Sequence, residues 1–159
     1  MSAARPKATR STERLPQDGD TLEWRRGEDS ISTDPERLDI GLVHRFLSHE
    51  AYWSPGVSRE RVERSIENSI VFGLYHGAEQ IGFARIVTDR AAFAYLADVF
   101  VISEHRGRGL GKWLVETVLS HPDLQGLRKF ILGTADAHSL YERFGFRPVD
   151  PSRMMERHH

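Results

Sequence analysis

The 159-residue chain contains no cysteine, so it has neither a disulfide framework nor a thiol nucleophile. It also lacks any apolar run as long as a membrane span. Acidic and basic side chains nearly balance, and the formal net charge of −1 gives no bulk attraction for nucleic acid or an anionic membrane. These absences predict a cytoplasmic protein whose partners are neither nucleic acids nor membranes.

The first twenty residues contain almost no large apolar side chain and lack the apolar stretch of a signal peptide. Because such a segment cannot bury enough surface to fold, the sequence predicts a disordered tail over residues 1–20. Residues 21–159 are predicted to form a single domain, a length at which one core is normal. The histidines are scattered without the spacing of metal ligands, so no metal site is predicted.

The most informative stretch places a strand, a glycine-rich turn and a helix in immediate succession. Ala91–Ile102 is apolar apart from one carboxylate, Asp98, and this predicts a buried strand. The turn Arg106–Gly111 follows, and apolar residues at helical spacing begin at Leu110. Free backbone N–H groups at such a helix N-terminus, with arginines beside them, are suited to bind a phosphate or pyrophosphate.

Two common phosphate-binding patterns do not fit this turn. The dinucleotide fingerprint G-x-G-x-x-G, counted from Gly107, would need glycine where Lys112 stands. A P-loop would need serine or threonine after that lysine, where Trp113 stands. The pattern that remains is Arg-x-x-Gly-x-Gly, beginning at Arg106.

This pattern resembles the pyrophosphate-binding turn of the GNAT acyltransferases, which use acetyl-CoA. The segment Thr134–Phe146 resembles the family's next motif, a helix with Leu140-Tyr141 followed by Gly145-Phe146, and the strand Lys129–Gly133 lies between them in the family's order. The resemblance covers residues 70–150 and implies an α/β GNAT fold. In that fold a mixed, twisted central sheet has two helices before its central hairpin and two after, and it splits to admit acetyl-CoA.

The resemblance also implies where acetyl-CoA binds. The strand backbone would pair with the pantetheine amides and the turn would take the pyrophosphate. The implied cofactor-binding residues are Val99, Phe100, Val101, Arg106, Gly107, Arg108, Gly109, Leu110, Gly111 and Lys112. Tyr141 takes the place of the tyrosine that protonates the departing thiolate in many members; its alternative role is to pack the helix against the sheet. Thr134 stands where many relatives carry an asparagine, and it lacks the amide.

The general base does not transfer from the family pattern, because the strand position where relatives often carry a carboxylate is Ala97. Asp98 must be paired or functional in its apolar strand, either as a proton relay or amine ligand or as a structural hydrogen-bond acceptor. Three residues follow the first predicted helix, where the family places acceptor-binding loops: Glu50, Tyr52 and Trp53. They are predicted to bind an amine or, alternatively, to be core aromatics beside a solvated glutamate.

Periodicity and capping residues predict the other elements. They are a first strand within Leu22–Ser32, a helix Asp39–Ser48, a helix capped by Ser58 that runs to about Asn68, strands Ser69–Tyr75 and Gln80–Thr88, a helix Gly109–Ser120, and a last strand around Met154-Met155. The charged residues of the second helix predict a solvated face: Arg59, Arg61 and Arg64 with Glu60, Glu63 and Glu67.

These observations together predict an acetyl-CoA-dependent N-acetyltransferase without a metal or a covalent enzyme intermediate. Its acceptor would be a small-molecule amine or a peptide, and a homodimer is one possible assembly. One alternative is a non-catalytic acyl-CoA-binding module. Another is an enzyme for a different acyl group, in which Phe100, Trp113 and Phe144 would narrow the acyl pocket.

Overall fold

The described part of the chain, residues 9–10 and 20–159 of a computed structural model, is organised around an open seven-stranded sheet in sequential order. The strands are β1 (Thr9–Arg10), β2 (Leu22–Arg26), β3 (Asp29–Ser32), β4 (Ile70–His76), β5 (Glu79–Thr88), β6 (Phe93–Val101) and β7 (Lys129–Leu132). Neighbouring strands are antiparallel except for β6 and β7, which are parallel. The predicted mixed α/β sheet is therefore confirmed.

Among the described residues two α-helices precede β4 and two follow β6, as predicted: α1 (Ile40–Arg45), α2 (Arg59–Glu67), α3 (Leu110–Leu119) and α4 (His138–Glu142). Asp39 caps α1 by accepting the N–H of Leu42, and Ser58 caps α2 in the same way. A π turn extends α1 to Glu50. No helix in the described ranges is long and apolar enough to cross a membrane.

The sheet is covered on both faces. One cluster packs α3 and α4 against the sheet and buries Leu96, Leu114 and Tyr141. The other packs α1 and α2 against the sheet and buries Val43 and Phe100 among others. Because both faces are apolar, the central strands read as nearly continuous hydrophobic runs in the sequence.

A β-bulge at Asp98 changes the face that β6 presents. Ala97 lies opposite Arg85 on β5 and Phe100 lies opposite Phe83, so β6 has one extra residue between these pairs. Asp98 has φ +55°, a left-handed conformation that aspartate tolerates better than most residues. One extra residue reverses the alternation, and Phe100 therefore joins the cluster under α1 and α2.

The sheet splits just before this bulge. Pairing between β6 and β7 ends at Leu96 and Leu132, whereas β6 continues to Val101. The last residues of β6 therefore have no partner on the side of β7 among the strands that the structure describes. This opening confirms the split that the family resemblance implies.

Two predicted elements need correction. Leu22–Ser32 is not one strand but the hairpin β2–β3, which turns at Gly27 with φ +57°. Met154-Met155 is not a strand: Met155 is 98% exposed, and two prolines just before it cannot donate to a ladder. The predicted tail over residues 1–20 lies mostly outside the described residues.

Candidate functional site

The glycine-rich turn forms an open cradle at the start of α3. Gly107 and Gly109 have φ +81° and +75°, conformations that suit glycine. A Cβ on either, or on Gly111, would meet no heavy atom within 4 Å. No side chain caps α3, and its first return bond runs from Trp113 N–H to the Gly109 carbonyl. The N–H groups of the first helical turn are therefore available to an anion.

The two arginines of the turn are fixed to the scaffold. Arg106 Nε donates to the Val101 carbonyl at 2.9 Å, which ties the turn to the end of β6. Arg108 donates to Asp29 Oδ2 on β3 at 2.9 Å. Burial acts to raise the pKa of Asp29, but the hydrogen bond with His76 and the charge of Arg108 outweigh it, and this pKa lies below its usual value. Arg108 is therefore largely neutralised by Asp29.

A cavity of about 1340 Å³ opens at the split between β6 and β7. Its walls come from the end of β6, the loop that connects β7 to α4, the loop before α2, and α2 itself. Ala97 and Val99 line it, as does Tyr141 on α4. The side chain of Phe100 packs in the core under α1 and α2, so only the backbone of this residue can contact a ligand at the split.

Tyr141 places a phenol at this cavity. Its side chain is 8% exposed, and its ring meets Phe146 edge-on at 5.9 Å. The hydroxyl has no hydrogen-bond partner among the described residues, although it borders the cavity. Burial, followed by the nearby Tyr52 and Asp136, raises the pKa of Tyr141 to about 12. The phenol thus stays protonated across the physiological range and is free to donate.

Asp98 is held by two partners at the floor of the cavity. Arg85 Nε donates to Oδ2 at 2.6 Å, and Trp53 Nε1 donates to Oδ1 at 2.8 Å. The side chains of Asp98 and Arg85 are only 11% and 19% exposed. Since both carboxylate oxygens are engaged, this geometry supports the structural interpretation of Asp98 rather than the proton relay.

Comparison with known proteins assigns the family. Residues 67–148 match the family model described as an acetyltransferase (GNAT) domain. The chain is a GNAT acetyltransferase family member.

Three relatives illustrate the relationship. A proposed acetyltransferase of Gibberella zeae is 31% identical over 140 residues, which cover 74% of this chain and 78% of that protein. The crystal structure of a proposed GNAT acetyltransferase of Xanthomonas campestris pv. campestris is 48% identical, with a TM-score of 0.81, and covers 85% of this chain and 96% of that one. A Clostridium acetobutylicum protein solved with acetyl-CoA shares the fold at 14% identity and a TM-score of 0.61, covering 82% and 98% of the two chains.

In this GNAT chain the loop before α2 bridges the split. Trp53 bonds to Asp98 on β6, and the Tyr52 hydroxyl accepts the N–H of Ala135 on the far side at 2.7 Å. Tyr52 and Trp53 are 53% and 42% exposed, so neither is a core aromatic. Both line the cavity, whereas Glu50 is exposed and does not. The structure thus brings together two of the three predicted acceptor residues.

Several cavity residues were not predicted from the sequence: Ser58, Arg61, Arg85, Tyr95, Asp136 and Glu156. One signal could have revealed Arg85, because it is a lone cation in the apolar run of β5 just as Asp98 is a lone anion in β6. The suggested narrowing of an acyl pocket by Phe100, Trp113 and Phe144 is wrong for this cavity, which none of them lines. The bulge and the packing of α3 turn the first two into the core.

Two other expectations have clear outcomes. Thr134 Oγ1 accepts the N–H of Ala137 at 3.0 Å, so this hydroxyl bonds to the backbone just before α4 begins. The solvated face of α2 is confirmed for the exposed ion pairs at i,i+4 spacing, Arg59–Glu63 and Glu60–Arg64, whereas Arg61, predicted on the same face, lines the cavity. No group of three or more potential metal ligands occurs in the described ranges.

Proposed function

We propose that this chain is an acetyl-CoA-dependent N-acetyltransferase that transfers an acetyl group to the primary amine of a small cytoplasmic molecule. The observation that carries the proposal is the hydroxyl of Tyr141, which has no hydrogen-bond partner among the described residues while its residue lines the cavity at the split of the sheet. Such a phenol is available to a group bound in the cavity.

The chain's residues fit acetyl-CoA. The cradle at Gly107, Gly109 and Gly111 is open where a Cβ would project, and the first N–H groups of α3 would hold the pyrophosphate. Backbone groups of β6 beyond Leu96, which β7 does not pair, would hold the pantetheine arm. Acetyl-CoA supplies an acetyl group already activated as a thioester.

Tyr141 is proposed as the proton donor to the leaving thiolate. With its pKa raised to about 12, the phenol keeps its proton at neutral pH and gives it up only to a base generated beside it. Asp98 is proposed to hold the floor of the site, since Arg85 and Trp53 occupy both its oxygens. The proton of the attacking amine would leave through water in the open cavity. This route requires no covalent enzyme intermediate.

The test begins with binding. Acetyl-CoA should raise the melting temperature, because a ligand bound only by the folded state stabilises it. Gly109→Glu should abolish this shift through bulk and repulsion of phosphate. Gly126→Glu is the matched control, since Gly126 has φ +76° and equally open surroundings away from the cradle. Equal shifts in both variants would refute the assignment of the cradle.

Turnover is then followed as free CoA released from acetyl-CoA in the presence of a panel of primary amines. We expect at least one amine to be acetylated. Binding of acetyl-CoA with no turnover on any amine would instead support the non-catalytic acyl-CoA-binding module.

A further inference from the structure

The charges that line the cavity are not all balanced. Arg85 and Asp98 neutralise each other. Three charged lining residues remain: Arg61 on α2, Asp136 in the loop before α4, and Glu156 near the C-terminus. The cavity therefore offers one cation, Arg61, besides two carboxylates.

Arg61 differs from the other arginines of α2. Arg59 and Arg64 are paired with glutamates along the outer face of the helix at 2.9 and 3.2 Å. Arg61 lies on the cavity side, and its guanidinium has no hydrogen bond or ion pair among the described residues. Three glutamates stand on the same helix, yet none neutralises it.

A second donor lies on the same wall of the cavity. Ser58 also lines the cavity, and its Oγ accepts the backbone N–H of Arg61 at 3.2 Å. Because the oxygen serves as acceptor there, its own proton is free to be donated. A guanidinium and a hydroxyl supplied by the first turn of one helix to the same cavity suit a carboxylate or a phosphate.

Near Tyr141 the cavity instead offers groups that favour a cation. Asp136 lines the same cavity as Tyr141, and its charge adds to the burial that raises the pKa of Tyr141. The exposed ring of Trp53 also lines the cavity. A carboxylate and an aromatic face both favour an alkylammonium group.

We propose that the acceptor is a small amine that also carries an anionic group, with the anion bound by Arg61 and Ser58 and the amine directed toward Asp136 and Tyr141. This inference rests on the proposed function and specifies its substrate class. It predicts that amines without an anionic group, polyamines included, are not the preferred acceptors. Carboxylate and phosphate share the recognising chemistry, and the experiment separates them.

The experiment compares acceptors with and without the anion, each at a pH that gives the same concentration of unprotonated amine. The carboxylate is tested by comparing free amino acids with their methyl esters. The phosphate is tested by comparing an amino-sugar phosphate with the unphosphorylated amino sugar. CoA release is measured for the wild type, Arg61→Gln, Arg61→Glu and the control Arg64→Gln, whose side chain lies outside the cavity.

The wild type should prefer the anionic member of at least one pair, and the pair that shows this identifies carboxylate or phosphate. Arg61→Gln should raise KM for that acceptor by about tenfold, as expected for a lost charge-assisted hydrogen bond. Arg61→Glu should reverse the preference toward the neutral member. Arg64→Gln should behave as the wild type.

Equal use of both members by the wild type, or equal losses in Arg61→Gln and Arg64→Gln, would overturn the inference. If no acceptor in the panel turns over, the N-acetylated forms of the same compounds are added to the CoA-loaded protein and the melting temperature is measured. An absent anion preference in that measurement would also overturn it. Failure of the proposed function is distinguished by acetyl-CoA alone, which would then leave the melting temperature of the wild type unchanged.

Discussion

Replacing Asp98 by alanine should destabilise the protein far more than removing an ordinary surface carboxylate. The change deletes two hydrogen bonds, from Arg85 at 2.6 Å and from Trp53 at 2.8 Å. It leaves the Arg85 guanidinium, only 19% exposed, without its counter-ion. It also places alanine at φ +55°, a left-handed conformation that alanine tolerates less well than aspartate, whose short polar side chain can hydrogen-bond locally.

The magnitude follows from these contributions. Breaking a buried ion pair by removing one partner costs about 3–5 kcal/mol. Since both side chains retain slight exposure to water, a loss of about 2–4 kcal/mol in the free energy of unfolding is expected for Asp98→Ala. Asp98→Asn keeps the size and the tolerance of positive φ, and should lose about half as much.

The matched control is Glu63→Ala, which removes one partner of a surface pair. The side chains of Arg59 and Glu63 are 57% and 47% exposed, so this change should cost less than about 1 kcal/mol. A double-mutant cycle of Asp98→Ala with Arg85→Ala should show a coupling of about 1 kcal/mol or more, because the two side chains are in direct contact.

Urea unfolding at pH 7, with the midpoint and slope fitted for each variant, measures these differences. The reasoning is refuted if Asp98→Ala is no less stable than Glu63→Ala. Strict additivity of the Asp98 and Arg85 substitutions would also refute it, since the carboxylate would then not depend on its arginine.

Other predictions concern the proton donor and the scaffold of the turn. Tyr141→Phe should lower kcat by about 10²-fold or more with little effect on acetyl-CoA binding, and undiminished turnover would remove Tyr141 from the mechanism. In the wild type, ionisation of Tyr141 should not lower kcat until the pH approaches the phenol's pKa of about 12. A fall in kcat caused by loss of this proton near pH 10, the ordinary value for tyrosine, would contradict the burial of the phenol. Asp29→Asn should destabilise at pH 7, and urea unfolding should show the difference from the wild type shrinking below about pH 4, because a lowered carboxylate pKa contributes stability that is lost as the pH falls through it.

The sequence by itself determined the local features of this protein. Caps such as Asp39 and Ser58 act within four residues, and the structure shows both where they were predicted. The glycine turn and the tyrosine helix are also short contiguous motifs. The positive φ of Gly107 and Gly109 and the place of Tyr141 on α4 beside the split are seen in the structure. The phosphate-binding role of the turn rests on its residue types, and the proton-donor role of Tyr141 rests on the family resemblance; both stay predictions.

Periodicity was less informative where short elements or single inserted residues decide the outcome. The pattern of Leu22–Ser32 predicts one strand rather than the hairpin β2–β3, because the turn at Gly27 spans few residues. A single bulge residue at Asp98 directs Phe100 to the opposite face of the sheet, and alternation alone does not show such an insertion.

Only the tertiary structure decided which distant residues form the floor and walls of the cavity. Asp98 takes its partners from Arg85, 13 residues away, and from Trp53, 45 residues away. Arg61 and Arg64 carry the same charge on the same helix. Only the packing of the helix places Arg61 at the cavity and Arg64 in a surface ion pair. Local sequence sets the conformation of each segment, but the register and packing of segments far apart in the chain set which side chains meet.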